Sequence, residues 1–343
     1  HFTHTHTHTS IHLVDTMSSS DASIRKRKVI IDCDPGIDDA LALMLAFASP
    51  HLDIVGITIV YGNHPDPQQL ARNACALCQL AQQSHIPVFV GASRPLVREY
   101  TGHTGMLFHG PTGTGHLPEA DIATADKKQP EIDKTAAEFI ASAARADPGQ
   151  IVLITLGPTT NAALALSLEP RLPTLLHGLV VMGGAYTTSG NASPVSEANV
   201  KNDPEAASLL LAAPWTRPVT LIGLDVTRQT KLTPAFFDSL RQNQCVQHLK
   251  ALKRFYFERF ETIGVQGGCP VHDSSAVMAV IDPTLFECED VLVRVECRGE
   301  FTSGMTVADW KHHFEGAPNA RVALHVDSAR LLSTAATLLN RLP

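Results

Sequence analysis

The chain lacks the long apolar run that a membrane-spanning helix requires, although 44% of its residues are hydrophobic. It also lacks a basic surplus. With 27 Lys and Arg against 34 Asp and Glu, the net charge is −7, and no electrostatic footprint for nucleic acid exists. Aromatic residues are few, at 6%, and the two tryptophans are Trp215 and Trp310. No repeat recurs and no clear linker interrupts the chain, so residues 28–343 are expected to form a single domain. The seven cysteines are odd in number and scattered through a chain too long to need covalent staples. This excludes a disulfide framework and favours a reducing, cytoplasmic compartment. Cys75-x-x-Cys78 has no second pair at zinc-finger spacing and reads as two core thiols. Residues 1–27 are rich in Thr, His and Ser and lack the apolar segment of a secretory signal. They are expected to be a disordered or expression-derived tail.

What is present alternates. Apolar runs at Val29–Ile31, Leu52–Val60, Pro87–Val90, Ile151–Thr155, Gly178–Met182 and Val219–Leu224 read as short buried strands. Helical patterns lie between them, at Asp39–Phe47, Leu70–Gln82, Ile132–Ala146, Asn161–Leu168 and Pro204–Ala213. The order predicts an α/β fold: an open, mostly parallel, Rossmann-like sheet with helices on both faces. Ligands of such sheets gather beyond the carboxyl ends of the strands. Polar clusters follow those ends here, at Asp32–Asp39, Tyr61–Asn63, Leu156–Thr159, Met182–Asn199 and Asp225. The C-terminal part is expected to hold a helix around Leu249–Phe260, strands near Val291–Cys297 and a last helix near Ser328–Leu342. Residues 98–130, rich in Gly, His and Pro, read as one long irregular segment.

The densest of these clusters is Asp32-Cys-Asp34-Pro-Gly36-Ile-Asp38-Asp39, at the end of the first strand. Pro35 and Gly36 break the strand, and a helix begins with acids in its first turn. Strand alternation sends Asp32 and Asp34 to the same side, with Asp38 and Asp39 facing them. Like charges this close raise one another's pKa, a penalty that a bound divalent cation removes. An all-oxygen donor set points to Ca²⁺ or Mg²⁺ rather than Zn²⁺.

Three further constellations carry less on their own. Asn191, Glu197 and Asn199 occupy a glycine-bounded loop whose amides and carboxylate suit vicinal hydroxyls, and equally suit an ordinary polar turn. Asp273, after Val271-His272, either caps a helix or completes a metal shell. His109, in Phe108-His109-Gly110, reads alone as a solvated loop histidine.

In order and spacing these motifs resemble the nucleoside hydrolases, whose DxDPGxDD signature is similar to Asp32–Asp39. The resemblance spans about Lys28 to Ala308. It includes Leu156-Gly-Pro-Thr-Thr-Asn161, Val181-Met-Gly-Gly184, Asp203-Pro-Glu-Ala-Ala207, Gly223-Leu-Asp225 and Gly304-Met-Thr-Val-Ala-Asp309. The inosine-uridine preferring, non-specific branch is most similar. The resemblance implies Ca²⁺-dependent hydrolysis of ribonucleosides to free base and ribose, through an oxocarbenium-like transition state. It implies Ca²⁺ held by Asp34, Asp39, Asp273 and the backbone carbonyl of Leu156, acidifying a water whose proton Asp34 takes as general base. Asp38 would hold the 2′-hydroxyl, and Asn63 would lie near the site. Asn191, Glu197 and Asn199 would grip the 5′- and 3′-hydroxyls, with Met182 against the sugar. His272 would be the acid or leaving-group contact, titrating near the working pH, and His109 would be a second imidazole at the base. Tyr256 and Phe260 would line the base pocket. Similar enzymes carry Tyr where Phe260 stands and Phe where Ala198 stands. Neither tryptophan falls in a pocket segment, which disfavours a purine-specific branch, and both inosine and uridine are expected substrates. A homo-oligomer, dimer or tetramer, is implied as well. Two rivals remain. A haloacid-dehalogenase-type phosphatase would share Asp32-x-Asp34 but not the Pro-Gly-Ile-Asp-Asp that follows. A nucleoside- or ribose-binding module would share the fold without turnover.

Overall fold

Strands buried on both faces read as unbroken apolar runs, and such runs pair in parallel. In the computed structural model, which describes residues 26–100, 103–115, 130–131 and 133–343, they do so around β1 (Arg27–Cys33). Ile31 of β1 lies opposite Ile57 of β2 (Leu52–Ile59) on one side and Ile154 of β4 (Ile151–Thr155) on the other. With β3 (Val88–Val90), β5 (Gly178–Met182), β6 (Val219–Ile222), β9 (Phe286–Val291) and β12 (Ala320–Val326), the sheet has eight strands. Their order is β3-β2-β1-β4-β5-β6-β12-β9, open at both ends. All neighbours are parallel except β9, which closes one edge antiparallel to β12. The short pairs β7 (Lys231–Leu232) with β8 (Cys269–Pro270), and β10 (Val293–Val295) with β11 (Thr306–Ala308), lie outside the sheet.

Two apolar cores cover the two faces. One holds helix Ile37–Ala48 with parts of helices Gln244–Thr262, Asp273–Ile281 and Ser328–Leu339. Residues Ile37 to Ala46 are all buried, as expected of a helix that is apolar all round. Burying each of Leu41, Leu43, Met44 and Leu45 contributes roughly 1.5–3 kcal/mol. The other core holds helices Ala136–Ala146, Thr160–Leu168 and Pro204–Ala212. Cys75 and Cys78 lie in the first core, as core thiols should.

Among the elements the sequence reading misses, three bear on the sheet and the site. Strand β12 is inserted between β6 and β9, where its mixed run Ala-Arg-Val-Ala-Leu-His-Val conceals it. Strand β9, Phe-Glu-Cys-Glu-Asp-Val, is polar along much of its length because it is an edge. Within the segment expected to be irregular, residues His103–His109 form a helix. The expected tail falls outside the described residues up to position 25, and Arg27 already belongs to β1.

The strand order reverses between β1 and β4. At such a switch point the connections diverge and leave a crevice beyond the carboxyl ends. Asp34 follows β1 and Leu156 follows β4, so the acid turn opens into that crevice.

Candidate active site

Gly36 is the N-cap of helix Ile37–Ala48, and its N–H donates to Asp39 Oδ2 at 3.0 Å. Asp34 donates its own N–H to Asp39 Oδ1 at 3.2 Å. The turn is therefore folded around the Asp39 carboxylate. Asn63, beyond the end of β2, ties the turn to the next strand. Its N–H donates to Asp34 Oδ2 at 2.8 Å, and its side-chain amide donates to the Asp34 carbonyl and to Asp39 Oδ2, each at 3.0 Å. Glycines allow this closeness: a Cβ on Gly36 would stand 2.6 Å from the Asn63 amide nitrogen and 2.5 Å from the His109 ring.

Asp273 arrives from far along the chain as the first residue of helix Asp273–Ile281. Oxygens of Asp38, Asp39 and Asp273 lie within 4.8 Å of one another. Burial, with the charges of Asp39 and Asp38 added, drives the Asp34 carboxyl well above its usual range. Burial and Asp38 push Asp39 up to about 7. Burial and its three acidic neighbours drive Asp273 up as well. Asp38 goes the other way. Burial opposes its ionisation, but His109, Lys253 and His272 hold its pKa below the ordinary value. Among the described residues its Oδ1 is buried without a hydrogen-bond partner, while Oδ2 accepts the Tyr256 hydroxyl at 3.0 Å. Crowded carboxylates, oxygen donors and an orphaned carboxylate oxygen are the features a hard divalent cation satisfies.

Asp32 stands apart from this group. Its Oδ1 accepts Thr58 Oγ1 at 2.6 Å and Asn161 Nδ2 at 2.8 Å, and burial pushes its pKa up to about 7. It joins β1, β2 and helix Thr160–Leu168 beneath the site.

Opposite the acids is a wall of rings. His109 ends helix His103–His109 and is buried, not the solvated loop histidine expected of it in isolation. Its Nδ1 accepts the Ile37 N–H at 3.0 Å and lies 3.7 Å from Asp38 Oδ1. His272 is buried with Nδ1 2.9 Å from Thr227 Oγ1. Burial pushes His272 down to about 4, so it does not titrate near the working pH as expected from an ordinary imidazole. At neutral pH its ring is uncharged. Tyr256 and Phe260, one turn apart on helix Gln244–Thr262, meet edge-on with centroids 4.9 Å apart. Phe260 lies 5.6 Å from Phe108 and 6.5 Å from His272, and Tyr256 lies 5.4 Å from His109.

The family model for inosine-uridine preferring nucleoside hydrolase matches residues 29–333. This chain belongs to that family. It is a nucleoside hydrolase, with the open α/β sheet of its structural neighbours. It is 36% identical over 309 residues to an inosine-uridine preferring nucleoside hydrolase of Leishmania major, covering 88% of this chain and 93% of that protein. It is also 36% identical over 305 residues to a pyrimidine-specific ribonucleoside hydrolase of Salmonella typhi, covering 87% and 94%. A solved structure of a purine-preferring ribonucleoside hydrolase from Gardnerella vaginalis superposes with a TM-score of 0.85 at 33% identity, covering 92% of this chain and 98% of that one.

The remaining expected residues of this nucleoside hydrolase fall around the same crevice. Met182 ends β5 and is buried. The Asn199 amide donates to the Leu156 carbonyl at 2.6 Å and to the Met182 carbonyl at 3.1 Å. Among the described residues the Leu156 oxygen thus has one hydrogen-bond partner, and a carbonyl has a second lone pair to offer. Glu197 is the N-cap of helix Ala198–Asn202, and its carboxylate accepts N–H groups from Gly184, Asn199 and Val200. Asn191 is exposed at the rim, with its Oδ1 on the Ala198 N–H at 2.9 Å. Trp215 and Trp310 pack against the second core.

Lys253 escapes the sequence reading altogether. It is 1% exposed on helix Gln244–Thr262, with Nζ 4.6 Å from the centre of the Tyr256 ring, and its charge acts on Asp38 and Asp273. A lysine in an amphipathic helix ordinarily reads as solvent-facing, so only its spacing of three from Tyr256 signals the shared face. Among the described residues, no helix of the nucleoside hydrolase is long and apolar enough to cross a membrane.

Proposed function

We propose that this nucleoside hydrolase cleaves the N-glycosidic bond of inosine and uridine, with Ca²⁺ in the acid turn. The observation that carries the reading is the group of Asp38, Asp39 and Asp273 at the β1/β4 switch point, with Asp34 hydrogen-bonded to Asp39 beside it and with His109, Tyr256, Phe260 and His272 packed around. Asp39 and Asp273, grouped with Asp38, would hold the ion, and Asp34 and the Leu156 carbonyl would complete the ligand set that the family resemblance implies. When bound, it would neutralise the crowded carboxylates and orient and acidify the attacking water.

Asp34 would act as the general base, taking a proton from the water that attacks C1′. Asn63 holds the carboxylate in place through its N–H. Positive charge builds on the sugar as the C1′–N bond breaks, and the surrounding carboxylates stabilise it. Asp38, kept ionised, accepts the 2′-hydroxyl, with Tyr256 fixing its other oxygen. Asn199, bonded to the Leu156 carbonyl, and the neighbouring Asn191 and Glu197 would serve the 3′- and 5′-hydroxyls. The base departs with the bonding electrons into the ring wall, where His272 and His109 donate hydrogen bonds to it. Phe260 offers the base a face without a hydroxyl, which suits both purines and pyrimidines.

The test is release of free base and ribose from inosine and from uridine, before and after exhaustive chelation. Release should vanish on chelation and return with Ca²⁺. Tight nucleoside binding without release would replace this reading with a binding module.

A further inference from the structure

Thr227 closes the short helix Leu224–Thr227 that follows β6, and it is fully buried. Two bonds join it to the segment carrying His272. The Thr227 carbonyl accepts the Val271 N–H at 3.0 Å, and Thr227 Oγ1 meets His272 Nδ1 at 2.9 Å. Among the described residues, that ring nitrogen is the hydroxyl's one hydrogen-bond partner.

A neutral imidazole carries its proton on one nitrogen or the other, and the partner of Nδ1 decides which. With the proton on Nδ1, the ring would donate to Oγ1 and the buried threonine hydrogen would have no acceptor. With the proton on Nε2, the hydroxyl donates to Nδ1 and both groups are satisfied. An unsatisfied buried donor disfavours the first arrangement by roughly tenfold or more. Asp38, whose charge acts on this ring, also favours an N–H over a lone pair toward the site. His109 is set in the same sense by different means, because its Nδ1 accepts the backbone N–H of Ile37.

We propose that Thr227 is a positioning residue that locks His272 as the Nε2–H tautomer, so that the ring presents a hydrogen-bond donor to the leaving base. This rests on the proposed role of His272 as the leaving-group contact. Unlike the backbone donor that sets His109, this control resides in a side chain and can be removed by substitution.

The test compares Thr227→Val, which keeps the shape and loses the hydroxyl, with Thr227→Ser, which keeps it. ¹⁵N–¹H two-bond correlations of histidine-labelled enzyme report the tautomer, with His272 assigned by its absence from His272→Gln. The wild type should show His272 as Nε2–H, and Thr227→Val should show a mixture. The kcat for inosine should fall about tenfold to a hundredfold in Thr227→Val. Loss on a nitrophenyl riboside, whose leaving group needs no donor, should stay within about threefold, and Thr227→Ser should recover most inosine activity. A wild-type spectrum showing Nδ1–H overturns the inference, whether or not the valine variant folds. So does undiminished inosine turnover in Thr227→Val, or equal loss on both substrates. Absence of inosine turnover in the wild type would instead sink the functional reading, leaving the spectrum to judge the tautomer alone.

Discussion

The Asp34 carboxylate is held between two glycines, and adding one methyl group to either should displace it. A Cβ on Gly62 would stand 2.0 Å from Asp34 Oδ2, and one on Gly157 would stand 2.6 Å from Asp34 Oδ1. Contacts below 3.0 Å do not persist, so the carboxylate must yield by about 1 Å in Gly62→Ala and by less than half of that in Gly157→Ala. That movement pulls Oδ2 away from the Asn63 N–H that holds it at 2.8 Å. A misplacement of about 1 Å in a reacting group costs on the order of a hundredfold in rate. The expected result is a kcat for inosine lowered about a hundredfold in Gly62→Ala and about tenfold in Gly157→Ala. Gly62 also has a positive φ of 156°, so its alanine is strained in the backbone as well. Gly264→Ala controls for this: its φ is 88°, and nothing lies within 4 Å of the added Cβ. That variant should lose stability and keep its activity. The assay is base release from inosine at saturating Ca²⁺, beside thermal unfolding of each variant. Turnover within twofold of wild type in both Gly62→Ala and Gly157→Ala would refute the placement of Asp34 at the reacting water.

Three further outcomes are expected. Tyr256→Phe removes the 3.0 Å hydrogen bond to Asp38, worth about 1.5–3 kcal/mol to a charged acceptor, and should lower kcat/KM for uridine by about 10- to 100-fold. A change below twofold would show that the hydroxyl is not engaged during turnover. Lys253→Met removes the buried cation beside the acids, so Ca²⁺ measured by isothermal titration should bind about tenfold more tightly while the chelated protein unfolds at lower temperature. Unchanged Ca²⁺ affinity would detach Lys253 from the site. The third concerns Asp32, whose folded pKa of about 7 lies above its ordinary 3.8. The folded state therefore retains this proton, and the associated stability is present below the unfolded value and lost as pH rises through about 7. At roughly 1.4 kcal/mol per unit, the loss has an upper bound of about 4 kcal/mol. In chelator, urea midpoints at pH 5 and pH 8 should differ more for wild type than for Asp32→Asn, and equal differences would rule the slope out.

The acid turn was legible because its chemistry is local: four carboxylates in eight residues after an apolar strand cannot all be solvated turn residues. The strand–helix alternation was legible because parallel strands, covered on both faces, carry no polar alternation to blur them. Strands β9 and β12 were not, because an antiparallel edge strand and its neighbour carry mixed sequences that resemble loops. The irregularity suggested by the Gly-rich composition around His109 hid a helix that buries the ring. His272 was visible as a candidate, but its depressed pKa was not, since desolvation depends on what packs around a residue.

The sequence by itself determined the α/β class, the strand-end location of the site and the identity of the acids, because each follows from neighbours along the chain. Tertiary structure alone decided which acids meet. It separated Asp32 into a buried strut with Thr58 and Asn161, and it brought Asp273 to Asp38 and Asp39. It also set Lys253 against Tyr256 and Thr227 against His272. The physical reason is that charge coupling, desolvation and hydrogen-bond pairing act over a few ångströms in space, and strand order, not sequence distance, determines which residues come that close.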